Sequence, residues 1–175
     1  RHPQRTRKVT MVSAVGLPFK HSPELDEKEQ GDYLLDAARK RRQAQVENPT
    51  WSAMRELLQR LILRPENVAD DLVAVRQSVY RQPAMKAAME HTMDLYVREV
   101  FNRNAIAPQE WRAMRMPFLV TLSVDVKDWF HETALEIHQL LPDSRLLECP
   151  GCSHWPQWEM AERFNAENIA FLLAE

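Results

Sequence analysis

The sequence lacks several features that would assign a chain to a class at once. It has only two cysteines among 175 residues, too few for a disulfide-rich secreted scaffold. Its start has no signal-peptide cleavage site, so we expect a reducing cytoplasm. All apolar runs are shorter than the roughly 18–20 residues of a membrane span. The net charge of −2 gives no general basic field, and we therefore expect neither nucleic acid nor a membrane as a partner.

Glycine is scarce as well, with Gly16, Gly31 and Gly151 as its three examples. A complete α/β sheet enzyme normally has more, because the tight turns between its strands and helices require positive φ angles. The first residue is also an arginine rather than a methionine. Both observations predict that the sequence is part of a longer α/β protein.

The chain does have enough apolar residues for a core, 45% of its length, and a clear order of elements. Apolar and β-branched runs predict strands at 6–15, 118–124 and 145–149. Apolar residues at three- and four-residue steps predict helices at 32–46, 51–62, 83–101, 132–141 and 158–173. One more helix is predicted after an N-cap at Asn67, and the polar residues 17–31 predict a loop.

This order predicts an α/β fold with about three parallel strands and an inserted helical cap. Residues 1–30 would hold the first strand and a linker, and residues 31–108 would form the cap. Residues 109–175 would then supply the alternating strand–helix–strand–helix part of the sheet.

One loop carries chemistry. The stretch P-G-C-S-H-W-P-Q-W-E, residues 150–159, places His154 between a predicted strand and the last helix. Histidine takes up and returns protons near neutral pH, and the flanking Trp155 and Trp158 would exclude water from a ligand. From the residues alone, a surface histidine with two core tryptophans is the simpler interpretation.

The motif G-x-x-H-W-P-Q-W-E, followed by x-x-x-x-F-N, closely resembles the catalytic-histidine loop of α/β-hydrolases, in particular the meta-cleavage-product hydrolases. Similarity extends to L-L-P-D-S-R-L, to the cap stretch P-E-N-V-A-D-D-L-V-A-V-R-Q-S-V-Y-R-Q-P, and to the first 18 residues. It covers nearly the whole chain, from the sixth strand of the hydrolase sheet onward. The resemblance implies hydrolysis of a carbon–carbon bond in a ring-opened aromatic compound, a small-molecule substrate and no cofactor.

The resemblance also implies roles for individual residues. His154 would be the catalytic histidine, and its acid partner would follow the strand at 118–124, in D-V-K-D. An ungapped alignment puts Val126 at the acid position; a one-residue gap favours Asp125, with Asp128 as the alternative. Arg76 leads R-x-x-x-Y-x-Q-P and would bind the polar end of the substrate, with Trp155 as a pocket wall. Solvated loop carboxylates and an exposed helix arginine are the plainer interpretations.

The nucleophile of the family is absent, because no serine of this sequence lies in G-x-S-x-G. We therefore predict that the chain alone is inactive. It would either pair with a missing N-terminal half or form a homo-oligomer; the alternatives are a non-catalytic remnant or interaction partner, and an esterase-type hydrolase.

Cys149 and Cys152 form a C-x-x-C pair, a pattern found in redox and zinc sites. It follows a strand instead of opening a helix, and a zinc site would need His131 or His138 from elsewhere. The pattern therefore favours two small buried cysteines and no metal.

Overall fold

The computed structural model of the protein describes residues 3–18, 27–92 and 98–174. The chain divides into two units. The sheet unit comprises Arg1–Leu17, Leu61–Leu63 and Ile106–Glu175, and the helical unit comprises Pro18–Arg60 and Arg64–Ala105. The sequence analysis placed the corresponding boundaries at 30/31 and 108/109.

Three parallel strands form the sheet, in the order β1 (Val9–Met11), β2 (Phe118–Ser123) and β3 (Ser144–Cys149). Val9 pairs with Phe118, which in turn pairs with Ser144. The predicted α/β class is therefore confirmed. Strand β1 is shorter than the predicted 6–15, because Ser13 leaves the extended conformation with a φ of 52°.

Helices of the sheet unit are α6 (Pro108–Ala113), α7 (Trp129–Leu140), α8 (Pro156–Glu159) and α9 (Ala161–Leu173). The prediction missed α6 and placed the start of α7 three residues too late. It also merged α8 and α9, which are separated at Met160, where the backbone has φ −137° and ψ 47°. The errors at α7, α8 and α9 concern helix ends, where caps rather than periodicity decide, whereas α6, with six residues, is too short to show a period.

Strand β2 is buried on both of its faces, and for this reason its sequence is a continuous apolar run instead of an alternating one. One face belongs to a core shared with α6 and α7. On the other face Leu119 packs with Leu147 and with Phe164 of α9. The first core comprises Ala14, Leu17, Trp111, Phe118, Val120, Leu122, Ala134, Ile137 and Leu141.

The helical unit contains α1 (Glu27–Glu47), α2 (Trp51–Gln59), α3 (Asp70–Tyr80), α4 (Pro83–Thr92) and α5 (Arg98–Arg103). Helix α2 begins after Thr50, whose hydroxyl accepts a hydrogen bond from the Ala53 N–H at 3.2 Å. The predicted helix 83–101 is described as α4 and α5, with residues 93–97 outside the described part. Of the predicted loop 17–31, residues 19–26 also lie outside it, and residues from Glu27 onward are helical.

The prediction for the start of α3 is wrong. Asn67 lies in a short 3-10 turn, Pro65–Asn67, and α3 begins later, after Ala69. On this helix Val73 and Tyr80 are buried, whereas Val75 and Val79, which the apolar spacing would place in the core, are exposed. Among the helices in the described ranges, none is both long and apolar enough to cross a membrane.

Candidate functional site

The loops that follow β2 and β3 meet at the carboxyl edge of the sheet. The Ser123 hydroxyl, at the end of β2, donates to the Cys152 carbonyl at 2.5 Å. The Gly151 N–H donates to Asp125 Oδ2 at 2.7 Å. Ligand sites of parallel α/β sheets lie at this edge, because neighbouring strands deliver their loops there side by side. The two contacts bring residues of both loops into one site.

His154 and Asp128 face each other across this edge. Nε2 of the His154 ring lies 3.4 Å from Oδ2 of Asp128, and the two side chains are 17% and 36% exposed. A carboxylate that faces one nitrogen of an imidazole orients the ring. The two side chains are thus partly shielded from water.

The position of Asp128 follows from its role at the start of α7. Its Oδ1 accepts hydrogen bonds from the N–H groups of Phe130 at 3.0 Å and His131 at 3.1 Å. These donors have no partner within the helix, and a capping carboxylate satisfies them. Because Oδ1 is held by the helix, Oδ2 is left to face His154.

The acid partner seen here differs from the preferred sequence prediction. The Asp125 carboxylate accepts a hydrogen bond from the Gly151 N–H and so joins the two loops. Asp128, the alternative, is the carboxylate that faces His154. The difference arises because an alignment counts residues along the loop, whereas the start of α7 fixes where the side chain points.

A small cavity of about 20 Å³ opens beside the pair. That volume admits about one water molecule and no larger ligand. Its wall is mostly polar and is lined by Ser13, Thr121, Ser123, Val126, Asp128, Phe130, His131, Ser153 and His154. The Phe130 ring closes one side, edge-on to the His154 ring at 4.6 Å between centroids. Sequence analysis missed Phe130 as a neighbour of the histidine.

A second histidine lines the same cavity. His131 Nδ1 lies 2.6 Å from the Ser123 carbonyl oxygen. A carbonyl only accepts, so Nδ1 is the donor in this contact. Sequence analysis considered His131 only as a zinc ligand. In the part of the chain that the structure describes, no group of three histidine, cysteine or carboxylate side chains is arranged to hold a metal.

The backbone of His154 is held on both sides. Its N–H donates to the Leu61 carbonyl at 3.0 Å, and its own carbonyl accepts from the Ser13 hydroxyl at 2.6 Å. Ser13 has a φ of 52°, in the left-handed region that few residues other than glycine adopt. No sequence motif marks this contact, because its two partners are 141 residues apart.

The two substrate-binding candidates have different surroundings. Trp155 directly follows His154, is partly exposed, and its carbonyl accepts hydrogen bonds from the N–H groups of Trp158 and Glu159 at the end of α8. Arg76 lies on α3 in the helical unit and is also partly exposed.

Both cysteines are free thiols and fully buried. Burial raises the pKa of the Cys149 thiol. Burial also raises the pKa of Cys152 to about 12, with the nearby Cys149, Glu159 and Asp125 adding to the effect. Thiols of this kind are largely protonated near neutral pH and unreactive.

Comparisons with solved structures identify the fold. The chain is similar to a meta-cleavage product hydrolase (CumD) from Pseudomonas fluorescens IP01, with a TM-score of 0.76 and 20% identity over 98% of this chain and 57% of that one. It is also similar to 2-hydroxy-6-oxo-6-phenylhexa-2,4-dienoate hydrolase from Rhodococcus sp. strain RHA1, with a TM-score of 0.74 and 21% identity over 99% and 57%. A thermophilic esterase from Thermogutta terrifontis follows, with a TM-score of 0.63 and 16% identity over 98% and 57%.

No protein-family model matches the chain, and no curated protein matches it in sequence. The structural likenesses show that the chain has a partial α/β-hydrolase fold. It spans 57% of the length of each of these three solved hydrolases.

Proposed function

We propose that this chain is the histidine-bearing part of an α/β-hydrolase that cleaves a carbon–carbon bond of a meta-ring-cleavage product, during the degradation of aromatic compounds in the cytoplasm. The observation that carries the proposal is the pair His154–Asp128, 3.4 Å apart at the carboxyl edge of a parallel sheet. The likeness in fold to two hydrolases of meta-cleavage products supports the substrate class.

In this proposal Asp128 orients the ring from the Nε2 side and stabilises its charge, and the other ring nitrogen, Nδ1 of His154, accepts the proton of a serine nucleophile and later returns it to the leaving group. Asp125, the first candidate for the acid, instead holds the loop of Gly151. Arg76 keeps the substrate-binding role that the resemblance implies, because its planar guanidinium suits a carboxylate. Trp155 remains the candidate pocket wall.

The nucleophile comes, in this proposal, from outside the 175 residues. The sequence has no G-x-S-x-G. Two serines that line the cavity beside His154 donate their hydroxyls to backbone carbonyls, Ser13 to His154 and Ser123 to Cys152. A hydroxyl engaged in this way is not activated by the imidazole. We therefore propose that the chain by itself does not turn substrate over.

The test compares two preparations: the 175-residue chain and the polypeptide purified from its natural source. Each is assayed with a ring-opened dienol-diketone and with a simple aryl ester. We expect turnover of the first substrate by the natural polypeptide and none by the 175-residue chain. In the natural polypeptide, His154→Ala should reduce kcat at least about a thousandfold.

Each other outcome points to a different conclusion. Turnover by the 175-residue chain that His154→Ala abolishes would contradict an external nucleophile. Activity of the natural polypeptide on the ester alone would favour the second candidate, an esterase, which the likeness to the Thermogutta enzyme supports at the level of fold. Inactivity of both preparations would favour a non-catalytic remnant or interaction partner.

A further inference from the structure

Glu159 is a carboxylate whose two oxygens both bind the main chain. It is the last residue of α8, and its Oε2 accepts a hydrogen bond from the Ser153 N–H at 2.7 Å. Its Oε1 accepts one from the Leu63 N–H, also at 2.7 Å. Both distances are at the short end for N–H donors to an ionised acceptor, which is the stronger class of hydrogen bond. Glu159 therefore connects the residue before His154 to the segment Leu61–Leu63.

The segment Leu61–Leu63 also contacts the histidine itself. Its Leu61 carbonyl accepts the His154 N–H at 3.0 Å. A closed chain of contacts results, which runs from Glu159 to Leu63, along the segment to Leu61, across to His154, and back through Ser153 to Glu159. All of these residues belong to the sheet unit. Removing Glu159 would leave two backbone donors without their acceptor and would release the segment that holds His154.

We propose that Glu159 is a positioning residue, which fixes the backbone of His154 so that the ring stays opposite Asp128 and beside Phe130. It acts through the N–H groups of Ser153 and Leu63. The catalytic meaning of this role rests on the proposed function, but the role itself rests only on these backbone contacts.

The test is NMR on the full 175-residue chain, with Glu159→Ala, Glu159→Gln and the control Glu162→Gln. Glu162 is an exposed carboxylate in the first turn of α9, so the control removes a neighbouring charge without touching the contacts of Glu159. Two signals are followed: amide exchange at Ser153 and Leu63, and the ring-proton shift of His154. That shift reports the position of the ring, because the Phe130 ring lies edge-on to it at 4.6 Å.

In Glu159→Ala we expect exchange at Ser153 and Leu63 to accelerate by about ten- to a hundredfold relative to the β2 amides, since each amide loses a charged acceptor. The His154 ring signals should move, while those of His131, held by the Ser123 carbonyl, should not. Glu159→Gln keeps a single acceptor oxygen and should restore protection to one of the two amides. Glu162→Gln should resemble the wild type.

Two results would overturn the proposal. One is an unchanged His154 ring signal in Glu159→Ala; the other is equal acceleration at the two amides and throughout β2, which would mean that Glu159 only stabilises the fold. If Glu159→Ala does not fold, the proposal is tested by whether Glu159→Gln protects only one of the two amides, Ser153 or Leu63, from exchange. Since no turnover is measured, failure of the hydrolase proposal would leave these results standing.

Discussion

At the scale of single residues, the side chain of Asp128 is constrained on two sides, because its two oxygens have different partners. Oδ1 caps α7 and Oδ2 faces His154. Asp128→Ala should lower the free energy of unfolding by about 1 kcal/mol through loss of the cap, whereas Asp128→Asn keeps an acceptor and should cost less. Urea denaturation measures both. Asp143→Ala, at an exposed aspartate outside the site, is the control.

Equal losses for Asp128→Ala and Asp128→Asn would mean that the charge, and not the acceptor oxygen, stabilises the start of α7. A loss of the same size in Asp143→Ala would remove the cap as the explanation.

The cysteines lead to a prediction about alkaline pH. In the fold, burial raises the pKa of Cys152 from its ordinary value of 9.0 to about 12. The unfolded chain thus releases this proton at lower pH than the folded one, so that rising pH favours unfolding. The contribution of the protonated Cys152 thiol to the free energy of unfolding is intact below pH 9.0 and is lost progressively as the pH approaches 12. Urea denaturation at several pH values should show a decline in this range that is shallower in Cys152→Ala. An identical slope in both proteins would contradict the assigned cause.

The sequence predicts some residues of the site and not others, and the reason is physical. His154 can be found because its neighbours along the chain form a motif. The position of the Asp128 side chain depends on its role as the N-cap of α7. An aspartate before an apolar run is a usable cap signal, but the helix was predicted to begin only at Glu132. Ser13 is beyond the reach of any local pattern, since its contact with His154 exists only once β1 and the last loop have come together.

At the scale of elements, the end of α9 is closed by a residue from the opposite end of the chain. The Lys8 ammonium donates to the carbonyls of Phe171 at 2.7 Å, Leu172 at 3.4 Å and Ala174. A cation at a helix C-terminus satisfies carbonyls that have no partner within the helix. Lys8→Met should therefore lower the free energy of unfolding by about 0.3–1 kcal/mol.

The control for this prediction is Arg7→Met, which removes the same charge from an exposed neighbour. Thermal denaturation of the two variants should show a lower Tm for Lys8→Met alone. Equal shifts would assign the effect to net charge and would contradict the closure of α9 by Lys8.

Two glycines beside the sheet, Gly16 and Gly151, both have positive φ angles, so the effects of replacing them on stability can be compared. Gly16 has a φ of +126°, and a Cβ there would lie 3.0 Å from Trp111 Cζ2. Gly151 has a φ of +73° with no atom within 4 Å of its would-be Cβ. We expect Gly151→Ala to cost about 1–2 kcal/mol from the backbone alone and Gly16→Ala to cost more, because the indole must also move. Urea denaturation followed by tryptophan fluorescence compares them, and a larger loss at Gly151 would contradict the contact with Trp111.

The bounds of elements were predicted well for the strands and poorly where a cap determines the start of a helix. Strands β2 and β3 were placed to within one residue at each end, and for β2 the reason is that a buried apolar run in a parallel sheet marks its own limits. Helix α3 was started too early from Asn67, a residue type favoured at caps that here belongs to a 3-10 turn. The break between α8 and α9 leaves no trace in the spacing of apolar residues.

At the scale of the whole molecule, stability should be highest in the middle of the sheet. Strand β2 is hydrogen-bonded to a neighbour on each side, and its Leu119 and Val120 are fully buried. Native-state hydrogen exchange should therefore be slowest at the β2 amides and faster at β1 and in α9, whose Leu172 and Leu173 are exposed. Slower exchange in α9 than in β2 would contradict this ranking.

The pairing of β1 with β2 also has a consequence for synthesis on the ribosome. Val9 leaves the exit tunnel well before its partner Phe118, which follows only after the whole helical unit has been made. At about 5–20 residues per second, the delay is roughly 5–20 s. During that time β1 lacks its pairing with β2, and the edge that β2 will occupy is available to chaperones or to other chains. The yield of correctly folded protein should therefore depend on translation speed between these two strands.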